Sequence, residues 1–156
     1  MLVTFFALQL RVGLPYSAFW LAVGLLLVHF VALPRVAAAQ IPMLEQRMVV
    51  AAQRDDAEGM ARAYRSARLV RLYSPAWYLL GRRAWIASEQ GELARAEALY
   101  SEAILEAREP ERSTFIANLT TLKRRLGKEE EAAALQRRLN RDRPDLARVV
   151  EEARRD

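Results

Sequence analysis

Residues 88–105 read SEQGELARAEALYSEAIL, and this stretch decides the fold. Its apolar side chains return in steps of three and four residues and form one stripe along a helix: Leu93, Ala96, Leu99, Tyr100, Ala103 and Ile104. The alanines let a second helix approach closely, and the Tyr100 ring fills the gap to it. Gly91 precedes the helix, where a tight turn needs a positive φ. The stretch therefore predicts the second helix of a helix-turn-helix pair.

The same pattern occurs three times along the chain, with a period of 36 residues. Asp55, Gly91 and Gly127 align as turn positions. Four further sets coincide in this register: Met60, Ala96 and Ala132; Tyr64, Tyr100 and Gln136; Ala67, Ala103 and Leu139; and, upstream, Leu44, Leu80 and Ile116. Each unit ends at a proline: Pro75, Pro110 and Pro144. The dipeptides Ser74-Pro75 and Arg143-Pro144 also indicate helix starts. A constant period of this length predicts stacked units at about 42–75, 76–110 and 111–144, and no strand-like alternation competes, so the prediction is all-α.

These units resemble the tetratricopeptide repeat. The segment WYLLG at residues 77–81 is similar to the opening of that repeat, and residues 90–104 are similar to its second helix. The resemblance implies a right-handed helical-repeat solenoid of about three helix pairs that binds other proteins. Three departures from the family pattern stand out. Gly81 lies ten residues before Gly91, where the family has seven. Asp55 replaces the turn glycine, and Thr120 and Lys123 occupy positions of small or aromatic residues.

A last helix is predicted at residues 145–156, after Pro144. Leu146, Val149, Val150 and Ala153 form its expected apolar face, with charged residues elsewhere. A repeat stack needs a terminal helix with one polar face to cover its open end. This segment is predicted to be that capping helix.

A candidate protein-binding groove is predicted on the first helix of the middle unit. Tyr78, Arg82, Trp85 and Glu89 follow steps of four, three and four residues and share one helix face. The resemblance implies that first helices line the groove in which ligand peptides lie. Aromatic residues and arginine are also the types that binding hot spots favour. Core packing is the rival interpretation of Trp85.

The N-terminal segment, residues 1–39, is predicted to meet a membrane. Residues 13–33 carry no charge and suffice to span about 30 Å of hydrocarbon, with Tyr16 and Trp20 at one end. A cleaved signal peptide is the alternative: Arg11 begins it, Pro34 ends its helix, and Ala37, Ala38 and Ala39 precede a cut before Gln40. We expect a single-pass protein with its repeats outside the cytoplasm, or a periplasmic or secreted protein after cleavage. His29, near the helix end and without a visible partner, is interpreted as tolerated in the apolar run.

Composition argues against several classes of function. The chain has no cysteine and one histidine, and that histidine lies in the apolar run, so the polar part lacks the common metal ligands and the usual general base. No phosphate loop or nucleophile motif is present, and we expect no enzyme activity, cofactor, metal or small-molecule substrate. All 19 acidic residues follow Gln40, as do all but two of the 24 basic residues, so the polar part is only weakly basic. Arg62, Arg65, Arg68 and Arg71 are interpreted as an exposed helix surface, and no nucleic acid is expected as a partner.

Two hypotheses of function remain. The first is a membrane-associated or exported scaffold or adaptor whose repeats bind a protein partner of unknown identity. The second is a small accessory subunit of a larger membrane complex, in which the groove is filled permanently. A subunit of this kind would be insoluble or unstable alone, whereas an adaptor would be stable without its partner.

Overall fold

The structure, a computed structural model, describes residues 16–152 of the chain, with side chains from residue 18 onward. The described residues are almost wholly helical and contain no strand, which confirms the all-α prediction. In chain order they form α1 (Tyr16–Leu27), a π-helical stretch (Val28–Ala32), α2 (Leu33–Ala52), α3 (Ala57–Ser66), α4 (Arg68–Tyr73), α5 (Ala76–Glu89), α6 (Leu93–Glu106), α7 (Glu111–Arg125), α8 (Glu129–Asp142) and α9 (Pro144–Glu152). The predictions that rest on Arg11, on residues 13–15, on the Tyr16 side chain and on Ala153 lie outside the described residues.

The apolar N-terminal segment continues without a break into α2, which packs on α3 and α4. Within the described chain, Ala18–Ala52 is long and apolar enough to cross a membrane, and only 6% of its most apolar window is buried. Such a helix is compatible with a membrane span and with a signal sequence.

The expectation that Pro34 ends the helix is wrong. The N–H of Leu33 donates to the carbonyl of Val28, five residues back, and this wider π turn accommodates a proline ring that would clash in a regular α-helix.

The backbone repeats at the three predicted turns. Asp55, Gly91 and Gly127 have φ values of 54°, 77° and 72°. The residue after each turn position donates its N–H to the carbonyl five residues back, from Asp56 to Ala51, from Glu92 to Ala87 and from Lys128 to Lys123. These six-to-one hydrogen bonds satisfy carbonyls at the ends of α2, α5 and α7. Aspartate tolerates the left-handed conformation better than most side chains, so Asp55 substitutes for the glycine.

Burial follows the same period of 36 residues. Met60, Ala96 and Ala132 are each 0% exposed, and so are Met48, Ala84 and Thr120 on the preceding helices. Ala84, and not Gly81, is thus the small residue seven positions before Gly91. Thr120 is accommodated in this dry position because its hydroxyl donates to the carbonyl of Ile116 at 2.8 Å.

Gly81 has a separate packing role. A Cβ atom on Gly81 would lie 2.3 Å from Cε1 of Phe115, a ring of α7 that is itself buried. Only glycine lets the Phe115 ring come this close to α5. The glycine of WYLLG therefore serves the contact between the middle and last units.

The helices pack mainly on their sequence neighbours. α2 contacts α3 and α4, α5 contacts α6, α6 contacts α7, and α7 contacts α8. One cluster of buried residues joins α2, α3, α4 and α5, and a second joins α5, α6 and α7. α9 packs on both α7 and α8 with Ala147 and Val150 buried.

The apolar face predicted for the last helix is partly wrong. Val149 is 60% exposed, and Ala147 is buried in its place. Successive helical residues turn by about 100°, so Leu146, Ala147 and Val150 lie within one sector and Val149 falls outside it.

The 36-residue register predicts a difference between two alanines of the second helices. Ala96→Leu adds three carbon atoms at a fully buried contact, and we expect it to cost roughly 1–3 kcal/mol of unfolding free energy. Ala133→Leu adds the same atoms at an exposed position and should cost no more than about 0.5 kcal/mol. Thermal unfolding of the full chain in detergent, followed by circular dichroism, measures both. Equal losses at the two positions would show that the register is misassigned.

Candidate functional site

The four residues predicted for the groove lie together on α5, and a fifth residue, Glu45 of α2, joins them. The guanidinium of Arg82 is at the centre. Its Nη1 lies 2.9 Å from Oε2 of Glu45, and its Cζ lies 5.1 Å from the ring centroid of Tyr78 and 5.8 Å from that of Trp85. We call this set the Arg82 site. It places a cation between two aromatic faces and a carboxylate.

Tyr78 is the buried member of the Arg82 site. It is 6% exposed and packs with Leu44, Met48 and Met60 of the first unit. Its hydroxyl donates to Oε1 of Glu45 at 2.5 Å. Burial, and then this hydrogen bond, raise the pKa of Tyr78 well above its usual range. The expectation that Tyr78 is an exposed contact residue is therefore wrong: α2 covers the ring, and the hydroxyl positions Glu45.

The accessible part of the Arg82 site consists of Arg82, Trp85 and Glu89. The side chain of Arg82 retains 26% of its exposure, and Trp85 is half-buried. Nε1 of Trp85 donates to Oε1 of Glu89, an exposed residue, at 3.1 Å. Nε of Arg82 is buried and has no hydrogen-bond partner among the described residues. These three residues present an arginine, an indole and a carboxylate to solvent on one helix.

The sequence prediction of the groove omitted Glu45. A signal for it was present, since Glu45 lies 37 residues before Arg82, one residue away from the repeat period. Residues at matching positions on the first helices of adjacent units are expected to be neighbours. The repeat period therefore indicates Glu45 as a neighbour of Arg82, whereas spacing along one helix selected the other members.

A second polar cluster joins α6, α7 and α8. Nζ of Lys123 contacts Oε1 of Glu97 at 2.5 Å and also Oε2 of Glu131, and Nζ of Lys128 lies 2.8 Å from Oε2 of Glu97. Lys123 is 8% exposed, so its charge is largely removed from water. Burial lowers the pKa of Lys123, but the hydrogen bonds to Glu131 and Glu97 outweigh it and raise the pKa overall. Hydrogen bonds from Lys123 and Lys128 lower the pKa of Glu97. The lysine at this repeat position is accommodated because both carboxylates meet it.

This cluster predicts a pH dependence of stability. The pKa of Glu97 is lower in the folded chain than in the unfolded chain, so its contribution to stability is fully present above the unfolded-state pKa and is lost as the pH falls through the folded-state pKa. Glu97→Gln should therefore destabilise the chain at pH 7 by about 1–3 kcal/mol, less than for a fully buried pair. At pH 3 the difference from wild type should shrink. Melting temperatures at the two pH values measure it, with Glu102→Gln on the exposed side of α6 as control. A deficit that stays constant between pH 7 and pH 3 would refute the assignment.

The arginines at positions 62, 65, 68 and 71 are all exposed, as predicted. They do not follow one helix, because Ala67, with φ of −81° and ψ of 62°, separates α3 from α4. Arg62 pairs with Asp56 at 3.2 Å and Arg65 with Glu58 at 3.6 Å. Three glutamates at positions 129–131 form the first turn of α8, where their negative charge is favourable for the helix dipole.

His29 has a partner, contrary to the sequence interpretation. Its Nδ1 lies 2.9 Å from the hydroxyl of Tyr73, at the end of α4, and the two rings meet edge to face at 5.5 Å. The pair is separated by 44 residues in the chain, so no local pattern indicates it. The pair joins the apolar N-terminal helix to α4.

Comparisons with protein-family models, with curated proteins and with solved structures found no match. Among the described residues, no group of histidine and carboxylate side chains is placed to hold a metal ion.

Proposed function

We propose that the protein is a membrane-anchored scaffold or adaptor of the tetratricopeptide type, which binds a protein partner at the Arg82 site. One observation carries this proposal: the helix Ala18–Ala52 contains both the apolar segment and Glu45 of the Arg82 site. A rigid helix that leaves a bilayer and enters a binding site would hold the bound partner at a fixed distance from the membrane.

The repeated turns and the repeated burial support the proposed solenoid. Turn geometry recurs at Asp55, Gly91 and Gly127, and buried positions recur with the same period on the helices that flank them. Packing is predominantly between consecutive helices, as in repeat proteins, and α9 covers the last pair as a capping helix would. In this proposal the units are α2 with α3 and α4, α5 with α6, and α7 with α8.

An uncleaved anchor fits the packing better than a cleaved signal peptide. A cut between Ala39 and Gln40 would fall inside α2, two residues before Ile41 and five before Leu44, both of which pack in the core of the first unit. It would also remove Ala37, which is only 2% exposed, and the contact of His29 with Tyr73. We therefore propose that residues 13–33 remain attached, with the repeats outside the cytoplasm.

The chemistry of the Arg82 site suits a peptide segment of a partner protein. Trp85 offers an indole face for an apolar side chain, and arginine and tryptophan are the types most enriched in binding hot spots. The guanidinium of Arg82 has a buried, unsatisfied Nε, and the side chain as a whole is 26% exposed. A carboxylate or carbonyl oxygen of the partner protein could accept a hydrogen bond from the guanidinium and replace the contact with Glu45.

The proposal is tested by site-specific photo-crosslinking in the native membrane. A photoreactive residue in place of Glu89, exposed at the Arg82 site, should give one dominant crosslinked protein. The same residue in place of Glu102, exposed on α6, is the control. Arg82→Ala should reduce the yield from position 89 about 30-fold, as expected for a hot-spot loss of about 2 kcal/mol. Arg83→Ala, an exposed neighbour, should leave it unchanged.

Two outcomes would contradict the proposal. The first is the same crosslinked proteins from positions 89 and 102, which would mean that the Arg82 site does not select a partner. The second is an undiminished yield in the Arg82→Ala variant. Unfolding is monitored by circular dichroism, so that a lost crosslink is attributed to binding only where the helix content is retained.

A further inference from the structure

We propose that the end of α4 is a second membrane contact, which docks in the anionic head-group region of the bilayer that the N-terminal helix crosses. The contact consists of Leu72 and Tyr73 at the tip, with Arg68 and Arg71 beside them. This inference rests on the proposed anchor. It assigns a lipid-binding surface to a short helix that takes no part in the Arg82 site.

The hydrogen bond between His29 and Tyr73 fixes the depth of the α4 tip. His29 precedes Leu33, the last residue of the predicted span 13–33, by four residues, or about 6 Å along a helix. The Tyr73 hydroxyl lies 2.9 Å from Nδ1 of His29 and is therefore at the level of the apolar segment. If residues 13–33 span the hydrocarbon, α4 meets the bilayer at the boundary between hydrocarbon and head groups.

The side chains at the α4 tip suit that boundary. Leu72 is 70% exposed, whereas Val70 of the same helix is completely buried. Tyrosine is enriched at membrane interfaces, because its ring sits among the acyl ends while its hydroxyl stays with polar groups. A leucine exposed next to an interfacial tyrosine is covered by lipid in this arrangement.

The charges around α4 complement anionic lipid. Residues 59–75 contain four arginines and no acidic residue. Arg62 and Arg65 pair with Asp56 and Glu58, whereas Arg68 and Arg71 are exposed and have no carboxylate partner among the described residues. The Arg71 guanidinium donates to the carbonyl of Arg65 at 3.1 Å and lies 5.8 Å from the centroid of the Tyr64 ring, so its positive charge is not neutralised. The long side chains of such arginines can reach phosphate oxygens while their stems cover apolar surface. Two contacts, the transmembrane helix and the α4 tip, would fix the tilt of the repeats against the membrane.

The chain has no cysteine, so single cysteines can report depth without background. Leu72→Cys in the full chain, carrying an environment-sensitive fluorophore, is reconstituted in vesicles of phosphatidylcholine with phosphatidylglycerol. Lipids with a quencher near the head group should remove most of its emission. Leu105→Cys, 80% exposed on α6, is the water-exposed control. Leu25→Cys lies near the middle of the proposed span, and it reports the anchor in vesicles whose lipids carry the quencher in the acyl chain.

The outcomes separate this inference from the anchor on which it rests. Quenching at positions 25 and 72, but not at 105, supports both. If position 25 is quenched but the label at position 72 is as water-exposed as the label at position 105, the docking of α4 is overturned and the anchor stands. No quenching at position 25 overturns the anchor and the docking together.

The electrostatic part is tested in the Leu72→Cys chain. Each basic residue near an anionic surface shifts a docking equilibrium about fivefold, so Arg68→Gln and Arg71→Gln should each lower the docked-to-undocked ratio by that factor. Arg137→Gln, exposed on α8, should leave the ratio unchanged. Vesicles of phosphatidylcholine alone should abolish the effect of both α4 variants. Equal quenching with and without phosphatidylglycerol would overturn the assignment of anionic lipid as the ligand.

Discussion

Tyr78→Ala is expected to destabilise the chain by about 3–5 kcal/mol, the range for removal of a large buried aromatic side chain. The ring fills the core between α2, α3 and α5, and the loss of its hydroxyl would leave Glu45 without its closest hydrogen-bond partner. A loss of this size is a large part of the stability of a small domain. Thermal unfolding of the full chain in detergent measures it.

Tyr78→Phe separates the ring from the hydroxyl. It keeps the apolar contacts and removes only the hydrogen bond to Glu45, so it should cost about 1–2 kcal/mol. If Tyr78→Ala leaves the melting temperature unchanged, the ring is a surface contact residue, as its position in the sequence first suggested, and the burial described above is wrong.

Phe115→Ala is expected to lower the free energy of unfolding by about 3–5 kcal/mol, because the Phe115 ring lies against Gly81 and contacts the rings of Trp77 and Tyr100. This ring connects the middle unit to the last. Gly81→Ala should also destabilise the wild-type chain, by about 1–3 kcal/mol, since its new methyl group would overlap the ring.

The two changes are expected to be strongly non-additive. Without the Phe115 ring, the methyl group of Gly81→Ala meets no obstacle and fills part of the cavity, so the double variant should be more stable than the sum of the single losses predicts. Additive losses would show that the two residues are not in contact. Urea unfolding of the four chains measures the coupling.

The parts of the fold that depend on local chemistry could be predicted from the sequence. A left-handed turn at Gly91 and Gly127 follows from glycine itself, and the burial of Ala96 and Ala103 follows from helical spacing. Helix starts at Pro75 and Pro144 follow from the proline ring. Each of these features is decided within a few residues, so one sequence suffices to find it.

The parts that depend on packing between distant segments were missed. Tyr78 has the spacing of a surface residue on α5, and only the position of α2 makes it core. The partner of His29 lies on α4, and the exposure of Val149 depends on how α9 rests on α7 and α8. In the Arg82 site the spacing of Arg82, Trp85 and Glu89 was visible, whereas the contribution of Glu45 required the contact between units.

The central claim is that one helix joins the membrane segment to the repeats and stays intact. The intact mass and N-terminal sequence of the protein purified from native membranes test this claim most directly. We predict a chain, recovered in the membrane fraction, that still contains residues 13–39 and so does not begin at Gln40. A soluble chain that begins at Gln40 would contradict the claim. The cut would fall inside α2, and the contact of His29 with Tyr73 would be absent from the mature protein.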